Sequence, residues 1–170
     1  GAGPRSTDQL GKLGAEVLKL EPRTGNNTLR QQPMQGGIAT HYTTMMFNKR
    51  SVYFEPREST PQQRAALVGW ADVLVQNLKP GSLDGYGFSY EACRAINPAL
   101  VYVSISAWGD RGPFAGLPGA DPNGAGYGGW PSHTGEQGGE PEVVRMSYVD
   151  HMTGSRPMNA AATVIIFGRA

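Results

Sequence analysis

Short apolar segments typical of β-strands alternate with segments of helical periodicity along this chain, and this alternation constrains its fold more than any other feature. The predicted strands are residues 17–20, 51–54, 72–76 and 100–105. The predicted helices cover residues 7–17, 61–70 and 89–97. Strands that are separated by helices pair in parallel, because the crossover returns the chain to the same end of the sheet. The pattern therefore predicts an α/β fold whose mainly parallel sheet is flanked by helices.

Local signals also predict where helices begin. Thr60 and Gln63 can form a capping box around Pro61, which suits the first position of a helix. Near the end of the chain, Pro157 predicts a helix that begins only around Arg156.

Glycine and proline are unusually frequent, with 24 and 13 among 170 residues. They concentrate in three segments that follow predicted strand ends, residues 22–37, 77–87 and 108–141. Ligands of parallel sheets bind outside the carboxyl ends of the strands, so these segments are the predicted location of a site. Residues 22–42 as a whole are predicted to form a long loop.

Composition excludes several functional classes. Fifteen Lys and Arg residues balance 14 Asp and Glu residues, so a net charge of +1 provides no attraction to nucleic acid or to a membrane surface. No apolar run approaches the roughly 18–20 residues of a membrane-spanning helix. The single cysteine, Cys93, excludes an internal disulfide and fits a reducing compartment. We therefore expect a cytoplasmic protein with neither a nucleic-acid nor a membrane partner.

The two ends of the chain lead us to expect part of a longer protein. The sequence opens with Gly-Ala-Gly-Pro and closes on an apolar run at residues 160–167. A run of this kind needs burial against another surface.

Two motifs and three histidines have both a functional and a structural interpretation. Residues 124–129 match G-x-G-x-x-G, but they do not directly follow a strand, so a close-packed loop is favoured over a dinucleotide site. Residues 26–28 match a glycosylation sequon, and an ordinary loop is favoured there. The histidines lack metal-ligand spacing, so we predict no metal site; they are His41, His133 and His151.

Four charged residues are ambiguous on local grounds. Lys49 and Arg50 precede a strand, where a solvated strand end is favoured over a phosphate grip. Asp121 precedes a proline, and aspartate in such a turn usually hydrogen-bonds its own backbone. Asp150 fits either a helix cap or a carboxylate that backbone N–H groups keep usable as a nucleophile. Its position upstream of the helix predicted from Arg156 slightly favours the nucleophile.

An ordered series of motifs spans almost the whole chain. It comprises Ala2-Gly3-Pro4, Leu13-Gly14-Ala15-Glu16, Asn48-Lys49-Arg50-Ser51, Ala71-Asp72-Val73-Leu74-Val75-Gln76-Asn77, Ile96-Asn97-Pro98 and Gly112-Pro113. The series resembles the class III coenzyme A transferases, the CaiB/BaiF family that includes formyl-CoA transferase. The resemblance implies a Rossmann-like large domain, of which residues 1–170 form a single partial domain. The first strand, the rest of the large domain and a small domain are then absent from this segment.

The resemblance also implies a reaction. It makes Asp150, four residues before Gly154, the covalent nucleophile of a CoA-transferase, with Asp121 as a second acidic position. Coenzyme A would pass from an acyl-CoA donor to a carboxylic acid acceptor through an aspartyl anhydride and an aspartyl-CoA thioester. No tightly bound cofactor is implied, since CoA and acyl-CoA are substrates. Full-length members of the family are interlocked homodimers.

The residues implied to contact coenzyme A come from four segments. They are Gly1 and Ala2 near the thiol end, Phe54 and Arg57 at the adenine and its phosphates, Asn77, Leu78 and Lys79 in the next loop, and Gly119, Ala120 and Asp121 along the pantetheine. Ala120 stands where the transferases have tyrosine and where related racemases have a histidine base, which disfavours racemization. An acyl-CoA racemase or epimerase and a non-catalytic CoA-binding fragment are the alternatives.

Overall fold

A computed structural model of the chain describes residues 1–23, 33–143 and 146–168. The helices in these ranges are α1 (Ala2–Lys12), α2 (Thr40–Met46), α3 (Pro61–Trp70), α4 (Tyr90–Ile96), α5 (Asp121–Tyr127) and α6 (Tyr148–Phe167). The strands are β1 (Leu18–Glu21), β2 (Met34–Gln35), β3 (Ile38–Ala39), β4 (Arg50–Tyr53), β5 (Val73–Gln76) and β6 (Val101–Ser104). Short 3-10 helices lie at Pro56–Glu58, Asp84–Tyr86 and Trp130–His133. None of the helices in these ranges has the length and apolar character needed to cross a membrane.

Two parallel strand pairs organise the fold. β1 pairs with β4, with Leu18 opposite Arg50, and β5 pairs with β6, with Val73 opposite Val101. The connection within the first pair contains α2, and the connection within the second contains α4. β2 and β3 form a small antiparallel hairpin. The predicted α/β architecture, with parallel strands flanked by helices, is confirmed.

Local capping chemistry places two helices where the sequence predicts them. At the start of α3, the Gln63 N–H donates to Thr60 Oγ1 (3.2 Å) and the Thr60 N–H donates to Gln63 Oε1 (2.9 Å). At the start of α4, the Ala92 N–H donates to Ser89 Oγ (3.2 Å). Side-chain oxygens thus satisfy N–H groups that the first turn leaves without partners.

The core lies between these two helices and the second strand pair. Its buried members are Val68, Phe88 and Cys93, and the partly buried Leu74 and Tyr102 pack against them. The Tyr102 hydroxyl donates to the Phe88 carbonyl (2.8 Å), and burial raises the pKa of Tyr102 to about 12. This core supports β5 and so fixes the loop that follows it.

α1 begins and ends earlier than the periodicity predicts, at Ala2–Lys12 instead of residues 7–17. The helix accommodates Pro4 because the first turn needs no backbone N–H donors. Gly14 has a φ of +98° just beyond the helix, a conformation that glycine adopts without steric penalty. The apolar residues between Leu13 and Val17 therefore belong to the turn that leads into β1.

Regular structure also replaces part of the long loop predicted at residues 22–42. Gly36 and Gly37, with φ of 57° and 78°, form the turn between β2 and β3, and α2 begins directly after β3. The sequon at residues 26–28 lies outside the described residues. The G-x-G-x-x-G match at 124–129 belongs to the second half of α5 and the turn after it, so the prediction of a loop there is wrong.

α6 begins at Tyr148, and the start predicted around Arg156 is therefore wrong. Pro157 lies inside the helix, where its ring removes one backbone donor. Tertiary packing offsets this loss, because α6 lies against α1 and the Ser6 Oγ donates to the Gly154 carbonyl (2.6 Å). Packing between the two helices thus outweighs the tendency of one proline to mark the start of a helix.

The apolar run at residues 160–167 forms the last part of α6. Ala161 is buried, whereas Val164, Ile166 and Phe167 are exposed. Within the described ranges, the burial expected for this run is therefore met at Ala161 but not at those three side chains.

Candidate active site

Asp150 lies in the first turn of α6, and its side chain is 34% exposed. The residue before the helix is Ser147, so Asp150 is not the helix cap, and that interpretation is wrong. The positive end of the helix dipole favours a carboxylate at this position. The side chain is thus both accessible to a substrate and held on a rigid element.

Asp121 approaches Asp150 from the first turn of α5. The Asp150 backbone N–H donates to Asp121 Oδ1 at 2.7 Å, across a separation of 29 residues. Asp121 therefore does not simply close a turn on its own backbone, as its position before proline suggests. This hydrogen bond directly connects the two residues predicted as acidic positions of the site.

Gly1 lies beside the Asp150 carboxylate, and the Asn77 amide approaches Gly1. The Gly1 nitrogen is 4.0 Å from Asp150 Oδ2. A Cβ on Gly1 would lie 3.7 Å from Asn77 Nδ2 and 3.9 Å from Asp150 Oδ2, so the amide and the carboxylate approach the same point. A Cβ on Gly3 would lie 2.7 Å from Asn77 Oδ1, so this glycine leaves room for the amide. The start of α1 and the loop after β5 thus meet at Asp150.

Close backbone contact between α1 and α6 fixes this meeting point. Ala2 is buried, and its carbonyl oxygen would lie 2.6 Å from a Cβ on Gly154. The Arg5 Cβ would lie 2.7 Å from the same atom. A side chain at position 154 would therefore separate the two helices.

The loop that leads to Asp121 is closely packed at Gly119. A Cβ there would lie 2.2 Å from the Ala107 Cβ, too close for two non-bonded carbon atoms, so one of them would have to move. The Ala120 N–H donates to Asn123 Oδ1 (2.9 Å), which begins α5. These contacts orient the first turn of α5 and with it the Asp121 carboxylate.

Comparison with known proteins places this arrangement in one family. Residues 1–167 match the family model described as CoA-transferase family III. The chain belongs to this family. The resemblance in the sequence motifs is therefore confirmed.

The names of two similar family III transferases indicate that those proteins act on small carboxylic acids. The chain is 34% identical to the succinate–glutarate CoA-transferase of Agrobacterium fabrum, over 97% of this chain and 44% of that protein. It is 36% identical to the formyl-CoA:oxalate CoA-transferase of Streptomyces avermitilis, over 90% of this chain and 38% of that protein. A crystal structure of a CaiB/BaiF family protein from Brucella suis matches with a TM-score of 0.89 and 36% identity, over 97% of this chain and 45% of that one. The chain thus spans less than half the length of each.

Four of the residues predicted to contact coenzyme A lie apart from Asp150 and the residues around it. Phe54 packs edge-to-face on Phe88 in the core, with ring centroids 5.7 Å apart. The Arg57 guanidinium lies over the ring of Tyr86, 5.5 Å from its centroid. Leu78 and Lys79 are exposed. Among the described residues, no hydrogen bond, ion pair or ring contact links these four side chains to Asp150.

Two of the scattered histidines meet beside Asp150, which their spacing in the sequence does not reveal. The rings of His41 and His151 are stacked, with centroids 6.2 Å apart and planes 6° from parallel. Burial lowers the pKa of His41, His151 lowers it further, and Asp150 opposes them. In the described part of the chain, no group of three His, Cys, Asp or Glu side chains is arranged to hold a metal ion.

The N-K-R-S motif of the family braces α1, a role that local sequence reasoning missed. Lys49 Nζ donates to the Pro4 carbonyl and to Thr7 Oγ1, both at 2.8 Å, and Asn48 Nδ2 donates to the Gly11 carbonyl (2.9 Å). Burial lowers the pKa of Lys49 to about 8. The prediction of a solvated strand end is therefore wrong for Lys49. It describes Arg50 better, since that residue forms an exposed ion pair with Glu16.

Proposed function

We propose that this chain carries the nucleophilic aspartate of an enzyme that moves coenzyme A from an acyl-CoA donor to a small carboxylic acid. The observation that carries the proposal is the setting of Asp150. Its carboxylate is partly exposed beside Gly1, which the Asn77 amide also approaches, while Asp121 accepts a hydrogen bond from its backbone N–H. The acids in the names of the two similar transferases support the substrate class.

The proposed reaction passes through two covalent states of Asp150. A carboxylate oxygen attacks the thioester carbonyl carbon, the C–S bond breaks, and CoA leaves as a thiolate. The thiolate attacks the Asp150 carbonyl carbon of the mixed anhydride, which releases the donor acid and leaves an aspartyl-CoA thioester. The acceptor carboxylate attacks this thioester, and the same two steps in reverse yield acceptor-CoA and free Asp150. Each leaving group departs as an anion with its bonding electron pair, so no proton or electron is consumed.

Residues of this chain have distinct roles in these steps. The Asn77 Nδ2 group is a hydrogen-bond donor that approaches Gly1, as the Asp150 carboxylate does, and it would stabilise the oxyanion that develops during attack. Asp121 acts through the backbone and is a positioning residue. Rigid placement of this kind favours attack because the reacting atoms need no further ordering.

We also propose that coenzyme A follows the residues that the family resemblance implies. Gly1, Ala2 and Asn77 would face the thiol end, and Gly119 to Asp121 the pantetheine. Phe54, Arg57, Leu78 and Lys79 would face the nucleotide. The full-length enzyme would be an interlocked cytoplasmic homodimer that needs no tightly bound cofactor.

Trapping the intermediate tests the nucleophile. The full-length polypeptide that contains these residues is incubated with succinyl-CoA and hydroxylamine, and its peptides are analysed by mass spectrometry. We expect a hydroxamate on Asp150 in the wild type and none in Asp150→Ala. Asp110→Asn, a change of an exposed aspartate, is the matched control and should be trapped normally.

Three other outcomes would contradict the proposal. Undiminished transfer by Asp150→Ala would exclude this residue as the nucleophile. Exchange of the α-proton of an acyl-CoA for deuterium, without transfer to any acid, would identify a racemase or epimerase, an activity that Ala120 does not favour. Tight CoA binding with no transfer to any acid tested would identify a CoA-binding fragment.

A further inference from the structure

A pair of stacked histidines lies beside the proposed nucleophile, and the reaction proposed for Asp150 does not use it. The ring centroids of His41 and His151 are 6.2 Å apart, and the two planes are 6° from parallel. His151 follows Asp150 directly in the first turn of α6, whereas His41 comes from the first turn of α2. The stack therefore brings an imidazole from a distant part of the chain to the residue next to the nucleophile.

The two histidines differ in how accessible their ring nitrogens are to a ligand. His151 Nε2 is buried without a partner among the described residues, so it is closed to a substrate. Neither nitrogen of the half-buried His41 is buried in this way, and within the described ranges its ring forms no hydrogen bond or ion pair. An accessible, unpaired imidazole nitrogen can donate its N–H to a ligand. His41 is thus the member of the pair that a substrate can contact.

The Asp150 carboxylate lies within electrostatic range of the His41 ring. Burial lowers the pKa of His41, whereas Asp150 acts against this by favouring the protonated ring. A neutral imidazole donates one N–H, and a protonated imidazole donates two. A bound carboxylate would therefore find a donor on His41 in either protonation state.

Two other cations near the start of α1 are already engaged. Arg5 Nη1 donates to Asp8 Oδ2 at 3.1 Å, and the Asp8 carboxylate is buried. Lys49 Nζ donates to two oxygens of α1, both at 2.8 Å. Neither cation can turn toward an anion at Asp150 without breaking these contacts. Of these three basic side chains, His41 is the one whose nitrogens are free to bind an anion.

We propose that His41 determines specificity in the transfer reaction by donating a hydrogen bond to the second carboxylate of a short dicarboxylic acid, while the first carboxylate reacts at Asp150. This inference rests on the proposed function, because it assigns the class of acid that the enzyme accepts. The second carboxylate must lie away from Asp150 and Asp121, whose negative charges would repel it. His41 offers it a donor on a third helix, which a chain of a few carbon atoms can reach.

Transfer to two acids that differ by one carboxylate tests this role. The full-length polypeptide, at saturating succinyl-CoA, receives either glutarate or pentanoate, which have the same number of carbon atoms. Mass spectrometry of the acyl-CoA products gives kcat/KM for each acid, which in a ping-pong reaction reports only the attack of the acceptor on the CoA-loaded enzyme. We expect the wild type to prefer glutarate.

His41→Phe keeps an aromatic ring against His151 but has no N–H donor. It should lower the ratio of kcat/KM for glutarate to that for pentanoate by about 10- to 100-fold, the usual effect of losing a hydrogen bond to a charged group. His133→Phe makes the same change at an exposed histidine and should preserve the ratio.

A second pair of variants serves if His41→Phe fails to fold. Leucine and glutamine are similar in size, and of the two only glutamine has an N–H donor. The preference for glutarate should therefore be lost in His41→Leu and partly kept in His41→Gln.

Three results would overturn this role of His41. They are equal kcat/KM for the two acids in the wild type, an unchanged ratio in His41→Phe, and a loss of equal size for both acids in that variant. Trapping of the Asp150 hydroxamate in the same preparations separates this inference from the proposed function. Where the hydroxamate forms, any of the three results rejects His41 alone, and where the wild type forms none, the nucleophile itself is rejected.

Discussion

The backbone N–H of Asp150 donates a 2.7 Å hydrogen bond to the carboxylate of Asp121. The bond caps α6 with a side chain from α5. Ser147, at the N-cap position, makes no side-chain hydrogen bond to the first turn. Free N–H groups of a first turn are usually satisfied by a side chain just before the helix. Here the second acidic residue of the site takes that role and fixes the backbone of the first.

Asp121→Ala should lower the free energy of unfolding by about 1–2 kcal/mol, the usual effect of losing a helix cap. Asp121→Asn keeps an oxygen acceptor and should lose less. Urea denaturation measures both, with the exposed Asp110→Ala as control. Equal stability of Asp121→Ala and the control would show that the bond does not stabilise α6.

Gly154→Ala should lower the free energy of unfolding by about 1–3 kcal/mol, because the new Cβ would meet the Ala2 carbonyl at 2.6 Å. The rate of the proposed CoA transfer should also fall, since the helices must move apart close to Asp150. Gly69→Ala is the matched control: position 69 lies in α3 with open space around it, so alanine should stabilise the protein by about 0.5–1 kcal/mol. A Gly154→Ala protein as stable as the Gly69→Ala protein would contradict the close helix contact.

Lys49 should make stability depend on pH in the alkaline range. Burial lowers its pKa from 10.5 to about 8, so between these values the unfolded chain binds more protons than the folded one. Stability from this residue therefore rises as the pH increases from about 8 to 10.5. We expect the difference in free energy of unfolding between wild type and Lys49→Met to show this rise, measured by denaturant titration at several pH values.

The raised pKa values of Cys93 and Tyr102 act in the opposite direction at alkaline pH. Both residues are present in wild type and variant, so the difference between the two proteins removes their contributions. Lys79→Met, a change of an exposed lysine, is the control and should not alter the slope. If the difference in free energy of unfolding between wild type and Lys49→Met did not change with pH, burial would not lower the pKa of Lys49.

Arg57→Gln should weaken the binding of CoA by about tenfold and leave the binding of pantetheine unchanged, if Arg57 contacts the phosphates of the nucleotide. The guanidinium lies over the Tyr86 ring and can move toward a phosphate without breaking an ion pair that the structure describes. Calorimetric titration of both ligands measures the effect, and the exposed Arg111→Gln is the control. A parallel loss for CoA and pantetheine would instead indicate a change in the protein structure.

The sequence predicts those parts of the fold that depend on neighbouring residues. The capping box of Thr60 and Gln63 and the start of α4 at Ser89 are correct because each rests on a side chain that reaches three positions along the chain. The parallel pairing follows from the alternation of elements. Where local signals compete with tertiary contacts, the prediction fails: Pro157 indicates a helix start, but packing against α1 extends α6 past it in both directions.

The candidate site likewise combines residues that the sequence identifies with contacts that arise only from tertiary packing. The motifs of the family identify Asp121 and Asp150, but the 2.7 Å bond between them depends on the packing of α5 against α6. The stack of His41 on His151 and the contact of Lys49 with α1 join residues far apart in the chain, and neither leaves a periodic signal in the sequence.

The hydrogen bonds of Asn48 and Lys49 hold both ends of α1, and their loss would free the helix to tilt. The Asn48 amide holds its far end at Gly11, Lys49 holds its first turns at Pro4 and Thr7, and Gly1 lies at that near end beside Asp150. Eleven residues span about 16 Å, so once these bonds are lost a tilt of about 4° about the far end would displace Gly1 by about 1 Å. A displacement of that size is enough to cost about 100-fold in a reaction that depends on placement. The rate of the proposed transfer should therefore depend on Asn48 and Lys49, which act through α1.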